Sequence, residues 1–240
     1  MTEDSKKQLQ ILCIRRYNAA IKFLDESKNE PPIVGRKPIT EEAEVPGFEK
    51  KQPKFGEFIE KEFVVMMTDI RKSTDIIRGP DGIRSMFIIY YVYSAIVAKI
   101  VDDYNGTSTE FLGDGVLSLF QTDSGLNKAM LDSMTSSQEI ILARNEIMNP
   151  FFLSNNLPAI DFGIGIDHGV TIVTRFGHNQ DNDLKAFGKC VYDVSRLSKS
   201  MNEILVSTNS KQNWPYHPEG KLRFFPKYVD GNTQAFLASK

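Results

Sequence analysis

The stretch from Glu110 to Phe120 reads EFLGDGVLSLF. Its leucines, valine and phenylalanines would make a buried strand, yet a carboxylate, Asp114, stands in the middle between Gly113 and Gly115. An ionised acid taken into an apolar interior is costly unless it neutralises, pairs or holds a metal. The glycines divide the stretch into two strands, Thr107–Leu112 and Gly115–Gln121, joined too tightly for anything but a hairpin. Asp114 then sits at the hairpin's tip, and something must stand opposite it.

The residues on either side supply a partner. FVVMMTDIRKST, at 63–74, ends an apolar run at Thr68-Asp69, so a strand over Glu62–Ile70 delivers the Asp69 carboxylate where the chain leaves the sheet. A long helix is expected over Asp81–Tyr104, with Phe87, Tyr90, Tyr91, Ser94, Val97, Ala98 and Val101 on its buried stripe. After the hairpin come a helix over Leu126–Met148 and a strand pair, Ala159–Asp167 and Val170–Arg175, turning at His168-Gly169. A helix over Val191–Met201, a strand over Ile204–Ser207 and a closing pair, Arg223–Phe225 with Thr233–Leu237, complete the pattern. This order is a ferredoxin-like βαββαβ core with extra strands, an α+β fold with an antiparallel-rich sheet. In such a sheet the first strand lies beside the hairpin, so Asp69 and Asp114 face each other from neighbouring strand ends. Singly, each acid also reads as a helix cap or a turn residue. Together they interrupt apolar runs at places the fold unites, a geometry suited to divalent cations shared with substrate phosphates.

Bulk properties narrow the function further. The 240 residues are 41% hydrophobic and 25% charged, enough for one good core. A net charge of −2 gives no basic stripe for nucleic acid. No run approaches the roughly 18 apolar residues of a spanning helix, and Met1–Lys7 lacks a signal-peptide core, so no membrane association and a cytoplasmic location are expected. Cys13 and Cys190 lack metal or disulfide spacing. Residues 1–54 read as an appendage, a helix over Gln8–Leu24 followed by an arm rich in proline and charge over Asp25–Lys54, with the compact domain at 55–240.

TDIRKST, EFLGDGVLSLF, FGIGIDHG and FGKCVYDVSRLSK fall in the order and spacing of the class III nucleotide cyclase catalytic domain, which the chain resembles over Glu62–Leu237. The resemblance implies that Asp69 and Asp114, helped by the Ile70 carbonyl, hold two Mg2+ or Mn2+ ions per active site. It implies a nucleoside triphosphate whose 3′-hydroxyl attacks the α-phosphorus while pyrophosphate leaves. By the same resemblance Arg196 meets the charge on the transferred phosphorus, and Lys227, in FFPKYVDG, is the nearest match to the triphosphate lysine. Tyr192 stands where the family has an asparagine that orients the ribose. Active sites in the family are shared between two protomers, so a homodimer is implied.

Base choice in the family rests on two positions, three residues before the glycines of LGD and FGK. Adenylate cyclases resembling this chain carry lysine and aspartate there; here they are Glu110 and Lys185, the opposite polarity. A carboxylate accepts from an imide N–H and an ammonium donates to the adjoining carbonyl, which suits uracil or guanine and disfavours adenine. Cytosine is accommodated if its amine faces Glu110. Tyr192 and the lack of a sensor or membrane domain resemble the bacterial Pycsar antiphage pyrimidine cyclases. The expected reaction is therefore UTP to cyclic UMP and pyrophosphate, signalling to a separate cyclic-nucleotide effector protein. The alternatives are CTP to cyclic CMP, then a guanylate or adenylate cyclase, then a non-catalytic nucleotide-binding homologue. His168, His178 and His217 show no ligand spacing and read as turn or surface residues. Tyr90, Tyr91 and Tyr93 read as core or dimer surface, and the glycines of 163–167 as a strand that another backbone approaches closely.

Overall fold

The run of apolar residues after Glu62 is long enough to be buried on both faces, and in the computed structural model it is the middle of β1 (Phe58–Arg71). The structure describes residues 1–26, 53, 56–178, 181–215, 219–229, 231 and 233–239. Apart from Asp25, Glu26 and Pro53, the expected arm lies outside the described residues, as does His217. Phe63, Val65 and Met67 face one apolar cluster while Val64, Met66 and Ile70 face another, so β1 separates two layers of core.

The hairpin of β2 (Gly106–Leu112) and β3 (Gly115–Gln121) lies beside β1 as expected, with β3 antiparallel to it from Phe63↔Gln121 to Asp69↔Gly115. Gly113, at φ +60°, makes the turn that an L-residue resists. A register shift between Ser108 and Glu110 bulges β2 and places Glu110 opposite Leu117. On its other side β1 pairs along its whole length with β4 (Asp161–His178). This corrects the sequence reading, which broke that segment at His168-Gly169. His168 is neither a turn nor a surface residue: it is buried, and its Nδ1 lies 2.9 Å from the Ser210 hydroxyl. Asp167 beside it accepts hydrogen bonds from the Ser207 and Ser210 hydroxyls, so the polar triplet is satisfied inside the fold.

β4 turns into β5 (Asp181–Phe187), a strand the sequence pattern did not show, and β5 returns antiparallel along it. β6 (Ile204–Ser207) pairs parallel with β4, and β7 (Arg223–Val229) with β8 (Thr233–Ser239) closes the edge. Among the described residues the sheet has eight strands in the order β2-β3-β1-β4-β6-β8-β7, with β5 on β4, and only the β4–β6 pair is parallel.

One face carries α1 (Glu3–Glu26), α2 (Ser73–Arg78), α3 (Gly82–Asp103) and α4 (Leu126–Ala143). A single π-turn over Arg144–Met148 continues α4 into α5 (Asn149–Ser154). In α3 the buried residues include Met86, Ile88, Ile89, Val92, Tyr93, Ile96, Val97, Ile100 and Val101. This rotates the expected stripe, leaving Phe87 exposed and Tyr90 and Tyr91 half-buried. The reason is α1, which seals a second side of α3 with Leu9, Cys13 and Ala20 in the shared core. By length and hydropathy α3 could cross a membrane, against the sequence expectation of no such run; half of that window is buried here, as in a core helix. The opposite face carries α6 (Lys189–Leu197), whose Cys190 and Val194 pack on β1, β3, β4 and β5, and α7 (Thr208–Gln212) follows β6. A Cβ at Gly163 would lie 2.3 Å from the Ser198 and Ser200 carbonyl oxygens, so this glycine lets the end of α6 settle on the sheet.

Candidate active site

Asp69 lies on the face of β1 that carries Phe63, Val65 and Met67, one step beyond the apolar cluster, opposite Gly115 in register. The Ile70 amide donates to the Asp114 carbonyl (3.1 Å), which ties the hairpin tip to the end of β1. Two tyrosines of α3 brace the same place. The Tyr93 hydroxyl, wholly buried, donates to Thr68 Oγ1 (2.5 Å), and the Tyr90 hydroxyl donates to the Gly115 carbonyl (3.1 Å). Burial, then the Asp114 charge, pushes Tyr90 up to about 12, so it remains a donor.

The two carboxylates do not rest comfortably together. Burial and the Asp114 charge push Asp69 up to about 6, against the pull of Arg71, whose Nη1 donates to Asp69 Oδ2 at 2.6 Å. Ser73 donates to Asp114 Oδ2. The donor set fits a hard divalent cation, since two half-buried carboxylates meet at adjacent strand ends and the Arg71 guanidinium balances the charge of one of them. Among the described residues no group of three or more His, Cys, Asp or Glu could hold an ion alone, so any cation here would take its other ligands from substrate or water.

Glu110 and Lys185 also meet. β5 comes back against β2, the Ala186 amide donates to Glu110 Oε1 (2.6 Å), and Lys185 Nζ donates to Glu110 Oε2 (3.2 Å). The Glu110 side chain is 4% exposed and that of Lys185 32%, so the acid is structural ballast for the strand contact while the ammonium keeps access to solvent. On α6, Tyr192 is 62% exposed and the Arg196 guanidinium lies 5.8 Å from its ring centroid, which places both on the outer surface of the helix. Lys227 on β7 donates to both oxygens of Glu203 (2.6 and 2.5 Å), so its charge is already engaged.

The predicted residues thus fall into a carboxylate pair, a base-position pair, the Tyr192–Arg196 surface of α6, and Lys227. Sequence reasoning missed Arg71, Ser73, Tyr90 and Tyr93. The signal for Arg71 and Ser73 was spacing alone, because both follow Asp69 within four residues on the way out of the sheet. The side chain of His178 lies outside the described residues.

No family model matches the chain. It is 24% identical over 173 residues to the adenylate cyclase of Anabaena cylindrica, across 70% of this chain and 34% of that protein. The chain spans about a third of the curated relatives it matches, 32% for the relatives from Mycobacterium bovis and Mycobacterium tuberculosis. The adenylyl cyclase CyaB from P. aeruginosa superposes with a TM-score of 0.65 at 20% identity, over 77% of this chain and 96% of that one. The guanylyl cyclase Cya2 gives a TM-score of 0.62 at 21% identity, over 75% and 91%. The α+β architecture is therefore the fold of the class III nucleotidyl cyclase catalytic domain. In this fold the chain presents two carboxylates at neighbouring strand ends and an acid–lysine pair between β2 and β5.

Proposed function

We propose that this protein is a metal-dependent nucleotidyl cyclase that converts UTP to cyclic UMP and pyrophosphate. The observation that carries the reading is the Asp69–Asp114 pair, held at the strand ends of a cyclase fold, with Asp69 raised to about 6 by its burial and by the Asp114 charge. Mg2+ or Mn2+ held by Asp69 and Asp114, with help from the Ile70 carbonyl, would supply the charge that activates the 3′-hydroxyl and steadies the departing pyrophosphate. The chain's own residues do the rest. The 3′-hydroxyl releases its proton to water as its oxygen bonds to the α-phosphorus, the bond from that phosphorus to the bridging oxygen breaks so that pyrophosphate leaves, and Arg196 offsets the charge that gathers on the transferred group. Lys227 exchanges Glu203 for the triphosphate, and Tyr192 bounds the sugar.

Base choice rests on Glu110 and Lys185. The backbone amide of Ala186 fixes the acid through Oε1, and Lys185 Nζ occupies Oε2; base reading has Lys185 turn from Oε2 to the uracil carbonyl, which frees that oxygen to accept from the imide N–H. CTP is the second reading, since the cytosine amine also satisfies an acid. The resemblance of the sequence to Pycsar enzymes supports an antiphage setting with a separate cyclic-nucleotide effector protein.

A homodimer with shared sites is part of the proposal. Phe58, Val170, Ile172, Phe176 and Phe187 are exposed and share one face of β1, β4 and β5, an apolar patch that a second copy would cover. The test is to offer UTP, CTP, GTP and ATP separately with Mg2+ or Mn2+ and identify products by mass. Cyclic UMP as the main product is expected; cyclic AMP or cyclic GMP alone, or no cyclic product from any of the four, would overturn the proposal.

A further inference from the structure

Arg71 is the positive charge paired with Asp69. It is the last residue of β1, two positions beyond Asp69 and on the same face, and its Nη1 lies 2.6 Å from Asp69 Oδ2. The pair is only partly covered, with the Arg71 side chain 27% exposed and that of Asp69 17%, so the guanidinium has room to leave. It also has somewhere to go. Asp161 of β4 stands directly opposite Arg71 in register, and its side chain is 47% exposed; the Arg144 guanidinium already faces it, but at 3.7 Å from Oδ1, a loose pair beyond hydrogen-bond distance. Directly opposed residues on one sheet face lie close enough for side chains to pair. Asp161 is held in place by the Asn202 amide, which donates to its Oδ1 at 2.7 Å.

A guanidinium and a divalent cation cannot both sit against Asp69 without strong mutual repulsion. We propose that Arg71 is a displaceable counter-ion for Asp69: it occupies the carboxylate while no metal is bound, and metal enters by expelling it. Arg71 is therefore a positioning residue that sets the affinity of the site for its cation. In the metal-free protein it lessens the repulsion between Asp69 and Asp114, and it does so at the expense of metal affinity. The inference rests on the metal reading of the Asp69–Asp114 pair.

The test is manganese binding to the full, nucleotide-free chain, followed by the electron paramagnetic resonance of free Mn2+. Arg71→Met, which keeps much of the apolar stem and removes the charge, is expected to bind Mn2+ about fivefold more tightly than wild type, the size of effect a partly exposed ion pair supports. Arg71→Lys, which keeps the competing charge, is expected to bind as wild type does. A merely structural arginine gives the reverse, since a damaged site binds more weakly. Binding in Arg71→Met that is unchanged or weaker, at a site abolished by Asp69→Asn, would overturn the inference alone. Binding that Asp69→Asn leaves intact would remove the metal reading and this inference together.

Discussion

The pair at the strand ends is built from half-buried carboxylates and the pair between β2 and β5 from a buried one, and they solve the problem of desolvated charge in opposite ways. Asp69 faces another acid, and its burial with Asp114 beside it raises its proton affinity even though Arg71 opposes the shift. Glu110 faces Lys185 and a backbone amide, so both of its oxygens are satisfied within the chain. Sites that are complete within one chain add stability and order, whereas a site with surplus like charge is held ready for a ligand that neutralises it. The first pair is read as the chemical centre and the second as a rigid template, and each prediction below can break that contrast.

The largest effect is expected at the unsatisfied pair. Asp69→Ala or Asp114→Ala lowers the rate of cyclic product by at least about a thousandfold with the far-ultraviolet dichroism unchanged, because a ligand to catalytic cations is lost. Near-normal turnover in either variant would move the chemistry elsewhere. Next comes Arg196→Ala, for which kcat falls about a hundredfold with a far smaller change in KM, as expected of a contact that strengthens in the transition state. A rise in KM with kcat unchanged would reassign Arg196 to docking.

At the satisfied pair the expected loss is of stability. Glu110→Gln removes the charge from a side chain that is 4% exposed and holds both Lys185 and the Ala186 amide. It is expected to cost about 2 kcal/mol in denaturant unfolding. A stability within experimental error of wild type would show that the β2–β5 contact does not need this acid.

The smallest effect has the opposite sign. A carboxyl whose folded value is raised to about 6 binds more protons when folded than when unfolded between pH 4 and 6. The metal-free fold therefore loses stability as pH rises through that window. Asp69→Asn removes the penalty and is expected to stabilise the metal-free protein by about 1 kcal/mol at pH 7.5, a rise in Tm of about 2–4 °C, with the gain gone near pH 4. Destabilisation at pH 7.5 would mean that the Arg71 contact outweighs the burial of charge.

The core and the carboxylate pair were legible for one reason: apolar runs that stop at an acid mark strand ends, and the βαββαβ order decides which ends are neighbours. The fold of β4 was not legible, because Asp167-His168-Gly169 has the composition of a turn. Its polar atoms are satisfied by Ser207, Ser210 and Asn209, which are about forty residues distant in sequence. The buried face of α3 was misread by the same kind of remote cause, since α1 covers a side that a helix lying on a sheet alone would expose. The Glu110–Lys185 pairing depends on the bulge in β2 and on the return of β5, and neither leaves a local signature. Arg71 was visible as a residue, but its role depends on which face the strand end turns toward Asp69.

In the proposed homodimer the carboxylates of one copy and Arg196 of the other form each active site, so mixing two disabled proteins separates what each copy contributes. Asp69→Ala and Arg196→Ala proteins, each inactive alone, are combined under conditions where exchange of subunits is demonstrated independently. With equal affinities about half of the dimers are mixed, and each mixed dimer has one site bearing both lesions and one bearing none. About a quarter of the wild-type rate of cyclic product is expected to return at equal total protein. Exchange without any recovery would place Asp69 and Arg196 in the same chain's site and rule out a site shared between copies.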